Sequence, residues 1–340
     1  MTLRFAIMGT GRIAGKVAPC IAEAEGCDVT VAASRSHERG HEFASEIGIP
    51  HACTYDDLLE CDDVDAVYVT LPNNDHPVWS EKLLKAGKHV LCEKPLCWTR
   101  AEAERLFTLA ADRGLVLVEA FMYVHSPLTA EAVRLARTSD SPIGSLRRIE
   151  ARFDISIEDG HKAGAKSNVR YSRALAGGSV MDLGCYPLSY VRHLTGETPA
   201  SLEAGAEMVD LFGGSRSDGS DAVDGRAWMR GAMPSGVEFD LTCSMVEPSG
   251  HLVEARLIGK RGEAVVRDFP RPAKIEIIAG GETRVIGAGK AGGLAPYTLQ
   301  AESFARAVGG AEPIPSPAWS IEQAGVIERV LGLIGLKFDG

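Results

Sequence analysis

Leu3-Arg4-Phe5-Ala6-Ile7-Met8-Gly9-Thr10-Gly11-Arg12-Ile13-Ala14 stands near the start of the chain. Its first six residues are a short apolar run, read as a strand. Helical periodicity begins at Ile13 and continues to Glu25. Between the two stand glycines in G-x-G-x-x-A spacing. A strand, a glycine turn and a helix in this order let the N–H groups of a helix N-terminus hold a pyrophosphate. Gly9 permits the tight turn, and Gly11 lets the backbone approach the phosphate. Ala14 stands where a third glycine often lies, and a methyl is tolerated there. The stretch predicts a dinucleotide held by Gly9, Gly11, Arg12, Ile13 and Ala14.

Working outward, strand-like runs alternate with helix-period segments through residue 122. Strands are expected at Leu3–Met8, Val29–Ala33, Ala66–Leu71, His89–Cys92 and Leu115–Phe121, and helices at Ile13–Glu25, His37–Ile47, Val78–Ala86 and Arg100–Arg113. Such alternation implies βαβ units around a parallel sheet. The pattern then changes. Strand-like runs follow at Arg147–Ile157, Arg226–Met233, Val237–Met245, Leu252–Ile258, Glu263–Arg267, Lys274–Ile278 and Thr283–Ile286. Turn residues separate them, and one helix over Ser179–Leu194 interrupts them. Phe212–Gly225 and Gly287–Gly293 read as loops, and Thr298–Val308 and Ile321–Leu336 as closing helices. The expected fold is therefore α/β followed by α+β: a parallel sheet over 1–122, then a large, mostly antiparallel open sheet over 123–317. The final helix, about 318–337, is expected to pack back on the first domain through its stripe Ile327, Val330, Leu331 and Ile334.

Composition narrows the function. The chain has 340 residues, 45% hydrophobic and 24% charged, with a net charge of −10. That balance argues against a nucleic-acid partner, which calls for a basic face. It leaves room for an anionic ligand, since a phosphate site needs only local cations and N–H groups. No run approaches the roughly 20 apolar residues of a membrane helix, and no export signal precedes the glycine loop. A cytoplasmic location is expected. The eight cysteines form no C-x-x-C pair, so buried reduced thiols are expected. His37 and His41 lie four apart, but Glu38, Arg39 and Glu42 surround them and no third ligand is evident. They read as a solvated face, and no metal is expected.

The choice of cofactor rests on the end of the second strand. An NAD enzyme commonly places an acid there for the ribose hydroxyls. Here the strand ends Ala33-Ser34-Arg35-Ser36. Ser34 and Arg35 can donate to a 2′-phosphate, and Arg39, one helical turn on, can cover the adenine. NADP is expected, with NAD as the alternative. The next strands end in Leu71-Pro72-Asn73-Asn74-Asp75-His76 and Glu93-Lys94-Pro95. Ligands of open α/β sheets bind beyond such carboxyl ends, so Leu71, Pro72, Asn73, His76, Glu93 and Lys94 join the cofactor set. In the second domain Asp182 and Tyr186 lie four apart and share a helix face. Tyr186 is a proton-transfer candidate whose phenol, near pKa 10 when free, a neighbouring Lys94 ammonium would lower. Asp182 would orient the substrate or tune Lys94; the alternative is a capping Asp beside a packed Tyr. Tyr123, Asn168 and Arg170 are candidate substrate-pocket residues.

These residues together resemble the glucose–fructose oxidoreductase / inositol dehydrogenase (Gfo/Idh/MocA) family. Its signatures run in order: GTGRIA at Gly9–Ala14, PNNDH at Pro72–His76, AGKHVLCEKP at Ala86–Pro95, EAFMY at Glu119–Tyr123 and AGGSVMDLGCYP at Ala176–Pro187. The resemblance implies a Rossmann domain and an α/β domain whose open sheet often forms an oligomer interface, hence a homo-oligomer. It also implies hydride transfer between NAD(P) and a sugar or polyol carbon. Lys94 matches the family's catalytic lysine and Asp182 its helix aspartate. Tyr186, where many members carry His, resembles the branch of glucose–fructose oxidoreductase, aldose 1-dehydrogenases and dimeric dihydrodiol dehydrogenases. Val124-His125 departs from that branch, which often has Arg after the FMY triplet. A sugar, polyol or vicinal diol is the expected substrate. An NAD-dependent redox glycosidase and a non-catalytic dinucleotide-binding protein are the alternatives.

Overall fold

A computed structural model describes residues 2–156, 168–210, 221–247, 250–287 and 295–338. The chain forms two compact units, Met1–His125 with Leu294–Ala324, and Ser126–Gly293 with Gly325–Gly340.

The first unit begins β1 (Leu3–Met8), α1 (Arg12–Ala22), β2 (Cys27–Ser34), α2 (His37–Ile47), β3 (His51–Thr54) and α3 (Tyr55–Leu59). It continues β4 (Ala66–Val69), α4 (Asp75–Lys85), β5 (His89–Glu93), α5 (Arg100–Asp112) and β6 (Leu117–Ala120). All strand pairs are parallel, in the order β3-β2-β1-β4-β5-β6. β1 therefore lies between β2 and β4, the point where the strand order reverses and a crevice opens at the carboxyl ends. β4 is buried along its whole length, which explains its unbroken apolar sequence. β3 and α3 carried no clear sequence signal. β3 is a four-residue edge strand, partly exposed, and α3 is one short turn started by the Thr54–Asp57 capping box.

The domain limits drawn from sequence need correcting. The helix α8 (Ala295–Val308), expected in the second domain, lies against α1, with Phe304 on Phe5 at 5.6 Å between ring centroids. The last helix, α9 (Pro317–Leu333), starts in this unit, where Trp319 meets Phe121 edge-on and Ile321 and Ala324 join the core, but the stripe Ile327, Val330, Leu331 and Ile334 expected to pack here falls in the second unit.

The second unit holds α6 (Pro127–Arg137), β7 (Leu146–Asp154), α7 (Cys185–Thr195) and the strands β8 (Ser201–Val209), β9 (Val223–Ala232), β10 (Glu238–Ser244), β11 (Leu252–Gly259), β12 (Gly262–Arg267), β13 (Lys274–Ala279) and β14 (Glu282–Gly287). They form one sheet in the order β14-β13-β12-β11-β7-β10-β9-β8. Every pair is antiparallel except β7 with β10. Side chains alternate as a half-covered sheet requires. Ile149, Ala151, Leu241, Cys243, Ala255 and Leu257 are buried, on the side where α7 packs. The opposite face carries ion pairs such as Arg148–Asp240–Arg230 and Arg256–Glu263. Sequence reading missed α6, β8 and the early start of β9, which already runs from Val223 inside the expected loop. The rest of that loop, as far as 220, and the expected loop over 287–293 beyond residue 287 lie outside the described residues. Among the described residues no helix is long and apolar enough to cross a membrane.

Candidate active site

The two glycines of the first loop are needed for different reasons. Gly9 has φ +109°, and a Cβ there would lie 2.6 Å from Thr70 Oγ1. Thr70 is pinned, since its N–H and hydroxyl both donate to the Met8 carbonyl. Gly9 is thus fixed by the protein's own packing. Gly11 has φ −83°, and a Cβ there would meet nothing within 4 Å. No packing demands it; what its missing side chain clears is the approach to the N-terminus of α1. That terminus has no side-chain cap and no acid in its first turn, so its N–H groups suit an anion. Ala14 is fully buried, which explains a methyl at the third position.

At the end of β2, Ser34 is only 2% exposed, whereas Arg35 and Arg39 are exposed. The exposed cationic surface here belongs to the two guanidinium groups, while Ser34 is buried. Arg39 Nε donates to Thr10 Oγ1 at 3.0 Å, so α2 reaches back to the glycine loop. Burial pushes the Asp75 carboxyl and the Tyr55 phenol up, and Arg35 opposes both shifts in part. Both arginines, Tyr55 and the start of α4 therefore border one edge of the sheet.

The turn carrying Lys94 is held from below by buried polar groups. Glu93 accepts from the Tyr68 hydroxyl and from Lys94 N–H. Glu119 accepts from Leu96 N–H at 3.0 Å. His76, expected to face the cofactor, is enclosed instead: Nδ1 lies 2.8 Å from the Pro95 carbonyl and Nε2 2.8 Å from that of Leu71. It ties the end of β4 to the residue after Lys94. Sequence reading placed Glu93 at the cofactor and gave Tyr68 and Glu119 no part, although Glu119 opens the EAFMY stretch.

Burial pushes the His76 imidazole down to about 4, against its two carbonyl partners. The unfolded ring binds its proton near pH 6.5. Between those values the unfolded state holds more protons, so this contribution is full above about pH 6.5 and is lost as pH falls toward 4. It amounts to about 3 kcal/mol. His76→Gln, which gives up a ring contact to a carbonyl, should be less stable at pH 7; because only wild type bears the cost of the lowered pKa in acid, the gap in urea midpoint should close as pH falls from 7 to 4.5. A gap independent of pH would contradict the assignment.

In the second unit, Gly177-Gly178-Ser179 leads into a π-helical turn, Val180–Gly184, that runs into α7. Asp182 Oδ2 accepts from Arg170 Nε at 2.5 Å. Asp182, with a smaller contribution from Tyr186, raises the Arg170 pKa and holds it charged. Asp182, Tyr186 and Arg170 are thus one electrostatic group, and Asp182 is a paired side chain rather than a helix cap. Tyr186 is nearly buried, its ring 5.4 Å from Phe153. Asn168 uses its amide oxygen to cap the turn at Arg170 N–H. Tyr123 is fully buried, its ring 5.9 Å from that of Phe121. Asp224, which sequence reading passed over, lies buried beneath Ser179. In the sequence it falls in the loop expected over 212–225.

The sequence matches two family models: the oxidoreductase family with NAD-binding Rossmann fold (GFO_IDH_MocA) over residues 3–121, and the GFO/IDH/MocA C-terminal domain over 136–265. The chain belongs to the Gfo/Idh/MocA family of NAD(P)-dependent oxidoreductases. It is 39% identical over 187 residues to a dTDP-3,4-didehydro-2,6-dideoxy-alpha-D-glucose 3-reductase of Actinomadura kijaniata, spanning 55% of this chain and 54% of that protein. It is 38% identical over 203 residues to a D-xylose 1-dehydrogenase (NADP(+)) 2 of Haloferax volcanii, spanning 59% of this chain and 60% of that one. Over 98% of both chains it is similar to KijD10, a 3-ketoreductase from Actinomadura kijaniata solved with NADP and TDP-benzene, at 29% identity and a TM-score of 0.84. KijD10 has also been solved with a tyrosine changed to phenylalanine and with a lysine changed to alanine.

Proposed function

We propose that this protein transfers hydride between NADP and a carbon of a sugar or sugar-like diol, with Tyr186 moving the hydroxyl proton and Lys94 assisting it. The observation that carries the cofactor half is Gly11: a glycine that packing does not require, over an uncapped helix N-terminus, beside the exposed Arg35 and Arg39. The NADP seen with KijD10 and named for the xylose dehydrogenase supports the same choice. NADP would supply the hydride acceptor. In the oxidative direction the substrate's C–H bond gives up hydride and its O–H proton passes to Tyr186; in the reverse direction a carbonyl takes both. Asp182, paired with Arg170, orients the hydroxyl. Of the three substrate candidates, Arg170 meets the Asp182–Tyr186 pair, and Asn168 holds the turn on which Arg170 sits.

The test is a panel of aldoses, inositols, dihydrodiols and a dTDP-linked ketosugar with NADP and NAD, followed by absorbance of the reduced nicotinamide. Turnover of a free aldose or of the nucleotide-linked sugar decides between the two relatives' substrate types. Cleavage of a glycoside with no net change in reduced nicotinamide would favour the redox glycosidase and overturn this reading. Arg35→Asp should raise the Kd for NADP about 10- to 100-fold, the range of a lost hydrogen bond to a charged group, and change that for NAD much less. Equal effects on both cofactors in a fluorescence titration would remove the 2′-phosphate contact.

A further inference from the structure

We infer that Asp224 is a positioning residue, fixing the entry of the helix that carries Asp182 and Tyr186. The inference rests on the reading that this pair acts in the reaction.

Asp224 stands on β9 and is fully buried. Its Oδ2 accepts from Ser179 Oγ and from Val180 N–H, each at 2.7 Å. These are the first groups of the helical turn. The neighbouring glycines are set by the same contact. Gly178 has φ +118°, and a Cβ there would lie 2.0 Å from Asp224 Oδ1. A Cβ at Gly177 would lie 2.4 Å from the Arg170 carbonyl oxygen, which accepts from Gly178 N–H. A Cβ at Gly184 would lie 2.8 Å from Cys243 Sγ. The small residues around Ser179 thus let a carboxylate and a backbone carbonyl close on the turn. Arg170, the partner of Asp182, is tied to that turn by its own carbonyl.

A buried carboxylate is an expensive way to cap a turn, because an amide of the same shape accepts the same two bonds without an ionisation penalty. Burial pushes the Asp224 carboxyl up to about 6, against the bonds from Ser179 and Val180. Among the described residues, the groups around it are as follows. From β10 comes the Cys243 thiol, which donates to Ser179 Oγ at 3.4 Å and is itself pushed up, chiefly by burial and further by Asp224. β8 places Met208 opposite it in the ladder. Beyond the turn stands the Arg170–Asp182 pair. What the charge adds is strength, since hydrogen bonds to an ionised acceptor are about twice as strong as neutral ones. As pH falls through about 6 the carboxyl takes up a proton, that assistance is lost and the helix entry loosens.

The experiment is kcat and KM for Asp224→Asn and Asp224→Ala between pH 5 and 8, with NADP present and active sites counted by NADP binding. Wild type should show an acid limb in kcat near pH 6. Asp224→Asn, folded and with unchanged Kd for NADP, should lose about tenfold in kcat at pH 7.5, the loss of charge assistance to two bonds. It should also lose the acid limb. Asp224→Ala should lose more. Wild-type kcat per NADP-binding site in Asp224→Ala, or an acid limb that persists in Asp224→Asn, overturns the inference. Tyr186→Phe, run alongside, tests the underlying reading separately: full turnover there would sink the acid/base assignment whatever the Asp224 variants show.

Discussion

Tyr186→Phe is expected to lower kcat by about 10²- to 10⁴-fold, the contribution of a positioned acid–base group. Kd for NADP should stay within about twofold, since the role proposed for the hydroxyl lies in the chemical step. The substitution is clean because the ring, packed 5.4 Å from Phe153, keeps its place when the hydroxyl goes. Lys94→Ala should cost a similar factor. The turn around it is also held through the main chain: Glu93 accepts from the Lys94 N–H, and His76 meets the Pro95 carbonyl. Loss of activity would therefore report chemistry and not collapse of the turn. On the proposal that the two residues serve one proton transfer, the double variant should lose little more than either single one. Rapid-mixing kinetics with the best substrate of the panel measures all three. Turnover retained by both single variants would dismiss the mechanism.

Much of this site was legible because its chemistry depends on backbone. A glycine loop, a strand end without an acid, and a Glu-Lys-Pro turn each advertise themselves over a few consecutive residues. The βαβ alternation was equally readable, since buried parallel strands are continuous apolar runs and their helices are amphipathic. What escaped were features defined across the sequence. Asp224 lies 45 residues from the Ser179 it serves, and an Asp near a Gly/Ser-rich loop looks like a turn residue. His76 reads as a ligand residue on a strand end, yet its ring is spent between two carbonyls. Tyr123 sits in a family signature but fills a core. α8 was visible as a helix, but its allegiance to α1 depends on the pairing of Phe304 with Phe5, which no local pattern encodes. β8 was missed because most of its residues are partly or fully exposed, leaving no apolar alternation to read.

The glycine loop itself yields the second large prediction, because its two glycines should fail in different ways. Gly9→Ala forces a side chain into a positive-φ conformation and against a pinned Thr70, two costs that together come to about 2–4 kcal/mol. Its Tm should drop by about 5 °C or more even without cofactor. At Gly11 a Cβ meets no protein atom within 4 Å, and φ is an ordinary −83°. The apo stability of Gly11→Val should change by no more than about 1 kcal/mol, as no side-chain cap is lost. Its branched side chain would fill the space that a pyrophosphate needs, so its Kd for NADP should rise by at least about tenfold. Thermal melts with and without NADP separate the two. At a cofactor concentration of about 100 Kd, wild type gains about 2.7 kcal/mol from binding. Gly9→Ala, once folded, should keep most of that gain from a lower starting point, while Gly11→Val should lose it from a nearly normal one. If Gly11→Val were stabilised by NADP as fully as wild type, the α1 N-terminus would not be where the pyrophosphate binds.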